Sequence, residues 1–367
     1  MNTIVSTKQA AEILGVSIST LYRMVEQGLL QPSKTPGGQR RFDIDSLKDF
    51  KEQSKYITAP QNPAVFKSIS PEHDELRTLD EVIKPVDHRN TLNDLNGSQW
   101  LPETKSFFYQ KGLGATHPDA QIERQHPAPF SYQDIEHLVA FFTKKGMHVL
   151  DPFAGVGSTA KACELQGRIC TSIELQPKWL NLSIERLEHE VGQGTSKKHT
   201  FILGDSRTVL KQMPNQIFDF IVTSPPYWSI LNKKADHKVK KERIQNDLAT
   251  NYSDNDKNDL ANIGTYDDFI KVLVNDVFIE SARLLKPKKY MCLVVSDFRD
   301  KSTFISFHSD LIQALNNRQT QDGYSITLQG VKVLLQNHKT LLPYGYPFAY
   351  VENIHHQYVL IFKKDKK

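Results

Sequence analysis

The sequence predicts an α/β protein: a parallel, doubly wound sheet with a small helix-turn-helix unit ahead of it. Three observations carry that expectation. From residue 147 onward, short apolar runs alternate in strict order with amphipathic stretches, the pattern of repeated strand-helix-strand units. Four of those runs end on Asp151, Glu174, Gly204-Asp205 and Ser224, which gathers polar residues at the carboxyl ends of parallel strands, where open sheets bind ligands. The first fifty-odd residues instead hold three short helical patterns and one Gly-Gly turn.

At 367 residues, with 39% hydrophobic and 24% charged, the chain has material for one large core and a small second one. A net charge of +4 is too mild to identify a nucleic-acid partner, so the placement of the cations has to decide. Residues 1–15 lack a signal-type apolar core, and no uncharged apolar run approaches the ~18 residues of a membrane span. A cytoplasmic protein is expected. Cys163, Cys170 and Cys292 are odd in number and not in C-x-x-C spacing, which favours reduced thiols over disulfides or a zinc site.

Ser6-Thr7-Lys8-Gln9 has the capping-box form and opens a helix through Leu14, which Gly15 stops. Ser17 caps a second helix with Leu21, Met24 and Val25 as its apolar stripe; Ser19, Thr20, Tyr22 and Arg23 lie near its exposed start. Lys34 to Phe42 follows, with Gly37-Gly38 turning between extended flanks and Gln39, Arg40 and Arg41 on the returning arm. A third helix is predicted over Ile44–Phe50. This unit, residues 1–55, resembles the winged helix-turn-helix of the MerR and excisionase-like families. The resemblance implies that the second helix enters the major groove and that the wing, with Arg40 and Arg41, touches backbone or minor groove. A three-helix accessory module without DNA contact is the alternative. Residues 56–89 read as a linker interrupted by Pro60, Pro63, Pro71 and Pro85, with a short helix near Glu72–Ile83. The main domain is placed at 90–367.

Met147–Asp151 reads as a buried strand, and Pro152-Phe153-Ala154-Gly155-Val156-Gly157-Ser158-Thr159 leads into a helix. The glycines allow a sharp turn that brings backbone N–H groups to a ligand. A second strand ends on Glu174, at the distance downstream where a carboxylate can hold ribose hydroxyls. The third ends at Asp205. The fourth, Phe218–Val222, runs into Thr223-Ser224-Pro225-Pro226-Tyr227-Trp228, where two prolines forbid both a further ladder donor and a helix start. That corner offers the Ser224 hydroxyl, the Pro225 carbonyl and the Tyr227 ring, a set suited to a planar base with an exocyclic amine. A plain strand-terminal turn has the same prolines. After it come a polar insert, Ser229–Gly264, a helix over Tyr266–Leu285, a turn at Lys286-Pro287-Lys288-Lys289, a strand over Tyr290–Ser296 and two late strands, Ile326–Leu335 and Tyr358–Phe362.

Seven strands with these motifs resemble the Rossmann-like fold of S-adenosylmethionine-dependent methyltransferases, and from Glu123 onward the amino-methylating DNA methyltransferases. The carriers are His126-Pro127-Ala128-Pro129-Phe130, the 151–159 loop, Glu174, Asp205 and Ser224-Pro225-Pro226-Tyr227. The loop precedes the serine corner, unlike the permuted order common in these enzymes, and no long target-recognition segment follows the last strand. Asn90–Trp100 also looks like a lead-in found before some DNA methylases; alternatively it is a flap packing Leu92, Leu95 and Trp100.

The resemblance implies S-adenosylmethionine as cofactor, with Phe130, Pro152, Phe153, Gly155 and Gly157 at its methionine end, Asp151 at its amino-acid portion, Glu174 at the ribose and Asp205 at the adenine. It implies duplex DNA as substrate, a flipped base stacked on Tyr227, and cytosine N4 as the methyl acceptor through the Ser-Pro-Pro-Tyr form, with adenine N6 as alternative. A partner restriction endonuclease is implied too. His126, among prolines, is expected to pack or cap backbone. Other readings are a methyltransferase of RNA or free amines, and a DNA-binding regulator with a cofactor-sensing domain. Lys233, Lys234, Lys238, Lys240, Lys241 and Arg243 begin just past the corner. With the Asn- and Asp-rich 251–262 stretch, they are expected to form a lid that is mobile without DNA and supplies part of the target-recognition surface.

Overall fold

An antiparallel three-stranded sheet heads the chain. In the computed structural model, residues 4–14, 21, 25, 30–34, 40–55, 85–110, 117–229, 248–253, 256–336, 339 and 341–366 are described, and the chain divides into two compact units, Met1–Asp80 and Glu81–Lys367. In the first, β1 (Ile4–Ser6) precedes α1 (Thr7–Leu14), and β2 (Ser33–Lys34) and β3 (Arg40–Asp43) lead into α2 (Ile44–Lys55). Gln9 N–H donates to Ser6 Oγ, and Ser6 N–H donates to Gln9 Oε1 at 3.1 Å, the capping box that the sequence anticipates. Lys34 pairs with Arg40 and Ser33 with Arg41, so the extended flanks of the Gly-Gly turn do form a wing. β1, which sequence reading missed, pairs with the outer side of β3. Val5, Ala10, Leu21, Leu30, Phe42 and Leu47 make the small core. Ser19, Thr20, Tyr22, Arg23 and Gln39, like the Glu72–Ile83 helix and most of the linker, lie outside the described residues.

The second unit opens with α3 (Gly97–Glu103) and β4 (Phe107–Tyr109). Trp100 meets Phe141 at 4.9 Å and Asn93 Nδ2 donates to the Phe141 carbonyl, so the 90–103 segment is a flap on the main body. After α4 (Tyr132–Phe142) come β5 (His148–Asp151), α5 (Ser158–Gln166), β6 (Ile169–Glu174), α6 (Pro177–Glu190), β7 (Thr200–Leu203), α7 (Ser206–Val209) and β8 (Phe218–Thr223). Each predicted strand of the four thus stands within a residue or two of its place. The 266–285 helix is present as α8 (Tyr266–Val272), a π-helical stretch (Leu273–Phe278) and α9 (Ile279–Leu284).

Lys286–Lys289 is not a turn between helix and strand: it belongs to β9 (Leu285–Val295), with a register shift against β8 and Lys288 in the left-handed region. Pro287 and the lysines around it are absorbed as a bulge because the strand is long enough to pair on both sides of it. Beyond β9, β10 (Phe298–Asp300), β11 (Thr303–Ile305), α10 (Phe307–Leu315), β12 (Arg318–Gln319), β13 (Ser325–Leu335) and β14 (His356–Asp365) complete the chain.

Among the described residues the sheet has nine strands, in the order β12-β13-β14-β9-β8-β5-β6-β7 with β4 also on β13. β9, β8, β5, β6 and β7 run parallel, whereas β14 is antiparallel to both its neighbours. The expected all-parallel sheet therefore carries two reversed strands among the described residues, β14 and the two-residue edge strand β12. The strand order turns at β5, between β6 and β8, which is the switch point where a crevice opens. Both faces are covered, by α4 and α5 on one side and by α8 to α10 on the other, as a parallel sheet requires. No described helix is long and apolar enough to cross a membrane. Cys163, Cys170 and Cys292 are buried in the core.

Candidate active site

A cleft with about 850 Å³ of space lies at the carboxyl ends of β5, β6, β7 and β8. Its walls bring together Phe130, Pro152, Phe153, Gly155, Glu174, Asp205, Ser224, Pro225 and Pro226, residues spread over nearly a hundred positions and named from sequence alone. Three further candidates stand apart from the walls, each for a physical reason.

Asp151 is fully buried. Its Oδ1 accepts from Phe153 N–H at 3.0 Å and from Thr223 Oγ1 at 2.6 Å, and Oδ2 accepts from Thr159 Oγ1. Burial raises its pKa. With both oxygens engaged it ties the end of β5 to the residue before Ser224, so it braces the site from behind instead of meeting a ligand. Gly157, at φ +74°, caps α5 against α6: a Cβ there would fall 2.2 Å from Ser183 Oγ. Its role is close helix approach. Tyr227 lies behind the corner, edge-on to Phe298 and Phe307 at 6.3 and 6.2 Å. Burial raises its phenol pKa, against the opposing effect of the Ser224 and Gln357 side chains.

Gly155 does line the cleft. Its N–H donates to Glu174 Oε2 at 2.8 Å, and a Cβ would come within 3.2 Å of His126 Nε2. Glu174 Oε1 accepts from Gln176 N–H at 2.8 Å. Held at the end of β6 between apolar walls, this carboxyl has its pKa pushed up to about 7, burial outweighing the backbone donors of Gln176, Gly155 and Leu175. Asp205 caps α7 and is gripped by Arg207, whose guanidinium reaches Oδ2 at 2.6 Å. His126 is buried, accepts from Ala128 N–H at 3.3 Å and meets Trp179 edge-on at 5.0 Å. It packs and caps, as expected.

The 119–132 segment is moored by charges out of water. Lys161, almost wholly buried, pairs with Asp119 at 2.9 Å and Glu190 at 2.7 Å, and fully buried Arg186 pairs with Glu123 at 2.6 Å. Ser158 Oγ donates to the Phe130 carbonyl. Breaking one such buried pair costs ~3–5 kcal/mol, enough to hold Phe130 at the cleft.

Sequence reading missed Trp179, Gln176, Tyr252, Asp259 and Leu260, all on the walls. Trp179 had a signal, since Pro177 at the first helical position places the next residues in the turn that faces the strand ends. The described part of the 229–264 insert is packed, contrary to the expected mobility. Trp179 Nε1 donates to the Tyr252 carbonyl at 2.9 Å, Trp228 Nε1 to the Ile263 carbonyl at 2.7 Å, and Leu260 and Ala261 are buried. Its acids and amides fold it locally: Asp259 Oδ1 accepts from Ala261 N–H and Oδ2 from Ser253 Oγ. Lys233, Lys234, Lys238, Lys240, Lys241 and Arg243 lie outside the described residues.

Residues 4–55 match the family model of a helix-turn-helix domain, and residues 37–185 match that of a DNA methylase. The second match ends before the Ser224 corner. Among curated relatives, an uncharacterized protein of Methanocaldococcus jannaschii, MJ1233, is 32% identical over 113 residues, 30% of this chain and 38% of that one. The Type II methyltransferase M.Cfr9I of Citrobacter freundii is 35% identical over 65 residues, 18% of this chain and 22% of that one. The chain thus spans under two-fifths of the length of these relatives. Among solved structures, TrmN from Thermus thermophilus aligns with 64% of this chain and 48% of its own at 19% identity and a TM-score of 0.35. Residues 37–185 are thus similar to the DNA methylases, and residues 4–55 to helix-turn-helix domains.

Proposed function

We propose that the chain is a site-specific DNA methyltransferase that transfers a methyl group from S-adenosylmethionine to the exocyclic amine of a base flipped out of the duplex, with cytosine N4 the favoured target. The observation that carries this reading is that Ser224 and Pro225 share one cleft with Glu174 and Asp205. The donor set fits the cofactor. Glu174 offers carboxylate oxygens to a ribose diol and Asp205 an acceptor to an adenine amine. Gly155 keeps the wall free of a side chain where the backbone must be approached. Phe130, Pro152 and Phe153 provide apolar surface for the methionine end. When bound, the cofactor supplies an electrophilic sulfonium methyl.

The chain's own part is to make a poor nucleophile act. A nucleobase amine has its lone pair delocalised into the ring. If Ser224 Oγ and the Pro225 carbonyl accept its two protons as hydrogen bonds, the nitrogen is drawn towards a tetrahedral form whose lone pair can face the methyl. The nitrogen would then form its bond to the methyl as the methyl–sulfur bond breaks to leave a neutral thioether, and would lose one proton to solvent water at the open cleft. Alignment in such a pocket is worth ~7–11 kcal/mol, and duplex DNA hides the amine, so flipping is required.

Serine in place of the acid at the first position of the corner favours cytosine; adenine N6 is the alternative. In this reading residues 1–55 bind DNA through Ser19, Thr20, Tyr22, Arg23, Gln39, Arg40 and Arg41, residues 56–89 link, 90–367 hold the methyltransferase, and Lys238, Lys240 and Lys241 meet phosphates. A cognate endonuclease is the partner such an enzyme serves. Nucleosides from the DNA of a methylation-deficient host expressing the chain test the reading by mass spectrometry. N4-methylcytosine is expected. N6-methyladenine would replace the cytosine assignment, and neither base would overturn the proposal.

A further inference from the structure

Residues 341–355, between β13 and β14, are fastened by hydrogen bonds yet leave their rings in water. Asn353 closes this segment like a clasp: its Nδ2 donates to the Leu342 carbonyl at 2.8 Å, and its Oδ1 accepts from Leu342 N–H at 3.0 Å. Inside, Phe348 N–H and Ala349 N–H both donate to the Gly345 carbonyl, at 2.7 and 2.8 Å. Gly345 has φ +74°, and a Cβ there would fall 2.3 Å from the Ala349 carbonyl oxygen. Backbone and amide contacts thus hold the shape. The aromatic side chains do not: Tyr346 is 81% exposed, Phe348 93% and Tyr350 85%. Three such rings within five residues of a fastened loop mark a binding surface.

Position identifies the occupant. β14 runs antiparallel to β9, with Tyr358 opposite Val295, so the loop leaves the sheet at the same edge as the Ser224 corner. Gln357, just past it, points its amide at the Tyr227 hydroxyl at 3.5 Å. The β10–β11 hairpin rises from that edge too, with the Arg299 guanidinium over the Phe304 ring at 5.5 Å, a cation where a phosphate would pass. A strand that delivers a base to the corner crosses this rim. Extrusion of the base leaves unstacked neighbours and a gap in the duplex, and these are what exposed rings bind.

We propose that Tyr346, Phe348 and Tyr350 stack on or wedge between bases beside the flipped nucleotide, supplying part of the DNA-contacting surface. This rests on the DNA methyltransferase reading above. The test uses the full chain and a variant, Tyr346→Ala/Phe348→Ala/Tyr350→Ala, whose changes are all at exposed positions. Cofactor affinity by calorimetry reports folding. Affinity is measured by anisotropy for random 30-base-pair duplexes and for the same pool with a central two-base bulge, across a salt series; methylation of plasmid DNA is followed in parallel.

Expected are unchanged cofactor affinity, a loss of about tenfold or more in affinity for bulged DNA, as alanine substitution of a stacking ring gives, and an unaltered salt slope, because rings release no counterions. Equal DNA affinity and methylation in both proteins would overturn the proposal while leaving the enzyme reading intact. So would a parent that self-associates through these rings, with a monomeric variant that still binds DNA fully. A parent that binds cofactor but neither binds nor methylates DNA would remove the underlying reading, and this inference with it. If the variant loses cofactor affinity, the single variants Phe348→Ala and Tyr350→Ala carry the same comparison.

Discussion

Glu174 couples cofactor binding to pH with a sign that its surroundings dictate. A carboxyl whose pKa stands at about 7 instead of 4.5 keeps its proton in the folded, ligand-free protein, a preference worth ~3 kcal/mol at most, since part of the group faces the cleft. The raised value means that this group adds stability below the ordinary carboxyl pKa and that the contribution is lost as pH rises towards 7. A ribose diol, by contrast, donates to the carboxylate and favours the ionised form. Binding should therefore release a proton below pH 7, and the dissociation constant should rise by up to tenfold per pH unit from pH 7 to pH 5.5 while levelling off above pH 8. Calorimetry in buffers of different ionisation enthalpy measures both. Glu174→Gln should bind more weakly at pH 8 and lose the pH dependence. A dissociation constant flat from pH 5.5 to pH 8 in the parent would refute the reasoning, because it would mean that the carboxyl is either ionised throughout or away from the ligand.

Three further outcomes are expected. Gly157→Ala places a methyl in the left-handed region and against Ser183 Oγ, and urea unfolding should show a loss of about 2–4 kcal/mol, with a smaller loss when Ser183→Ala is added; equal losses would mean the backbone alone carries the cost. A chain starting near Asn90, within the second compact unit, should bind cofactor normally and lose duplex affinity and its salt dependence; duplex binding as tight as that of the whole chain would make the helix-turn-helix an accessory module. Lys238→Ala/Lys240→Ala/Lys241→Ala should lower DNA affinity and flatten its salt slope with cofactor affinity unchanged, whereas equal slopes would return the run to an ordinary solvated surface.

Much of the large unit was legible because the strands end abruptly. Asp151, Glu174, Asp205 and Ser224 each terminate an apolar run, and a parallel sheet converts that one-dimensional regularity into one edge of the fold. What escaped depended on contacts distant in the chain or on side chains that satisfy backbone. Gly157 reads as a ligand-facing glycine until Ser183 is seen against it. Asp151 looks like a site carboxylate until Thr159 and Thr223 take its oxygens. The 251–262 stretch looked mobile because it is polar, yet those side chains fasten its turns and lay Tyr252 and Leu260 on the cleft. β1 is three residues long, too short for any period to show.

Single-turnover methylation by Ser224→Ala, set beside its cofactor affinity, tests the central claim most directly. The serine hydroxyl is assigned to the reacting amine and not to the cofactor's grip on Glu174 and Asp205. The chemical step should therefore slow by ~10²–10³, the cost of removing one such hydrogen bond from a catalytic site, while calorimetry returns the parent's dissociation constant for S-adenosylmethionine. An unchanged rate on the same DNA, or a slow rate explained wholly by weaker cofactor binding, would contradict the role given to the Ser-Pro-Pro-Tyr corner.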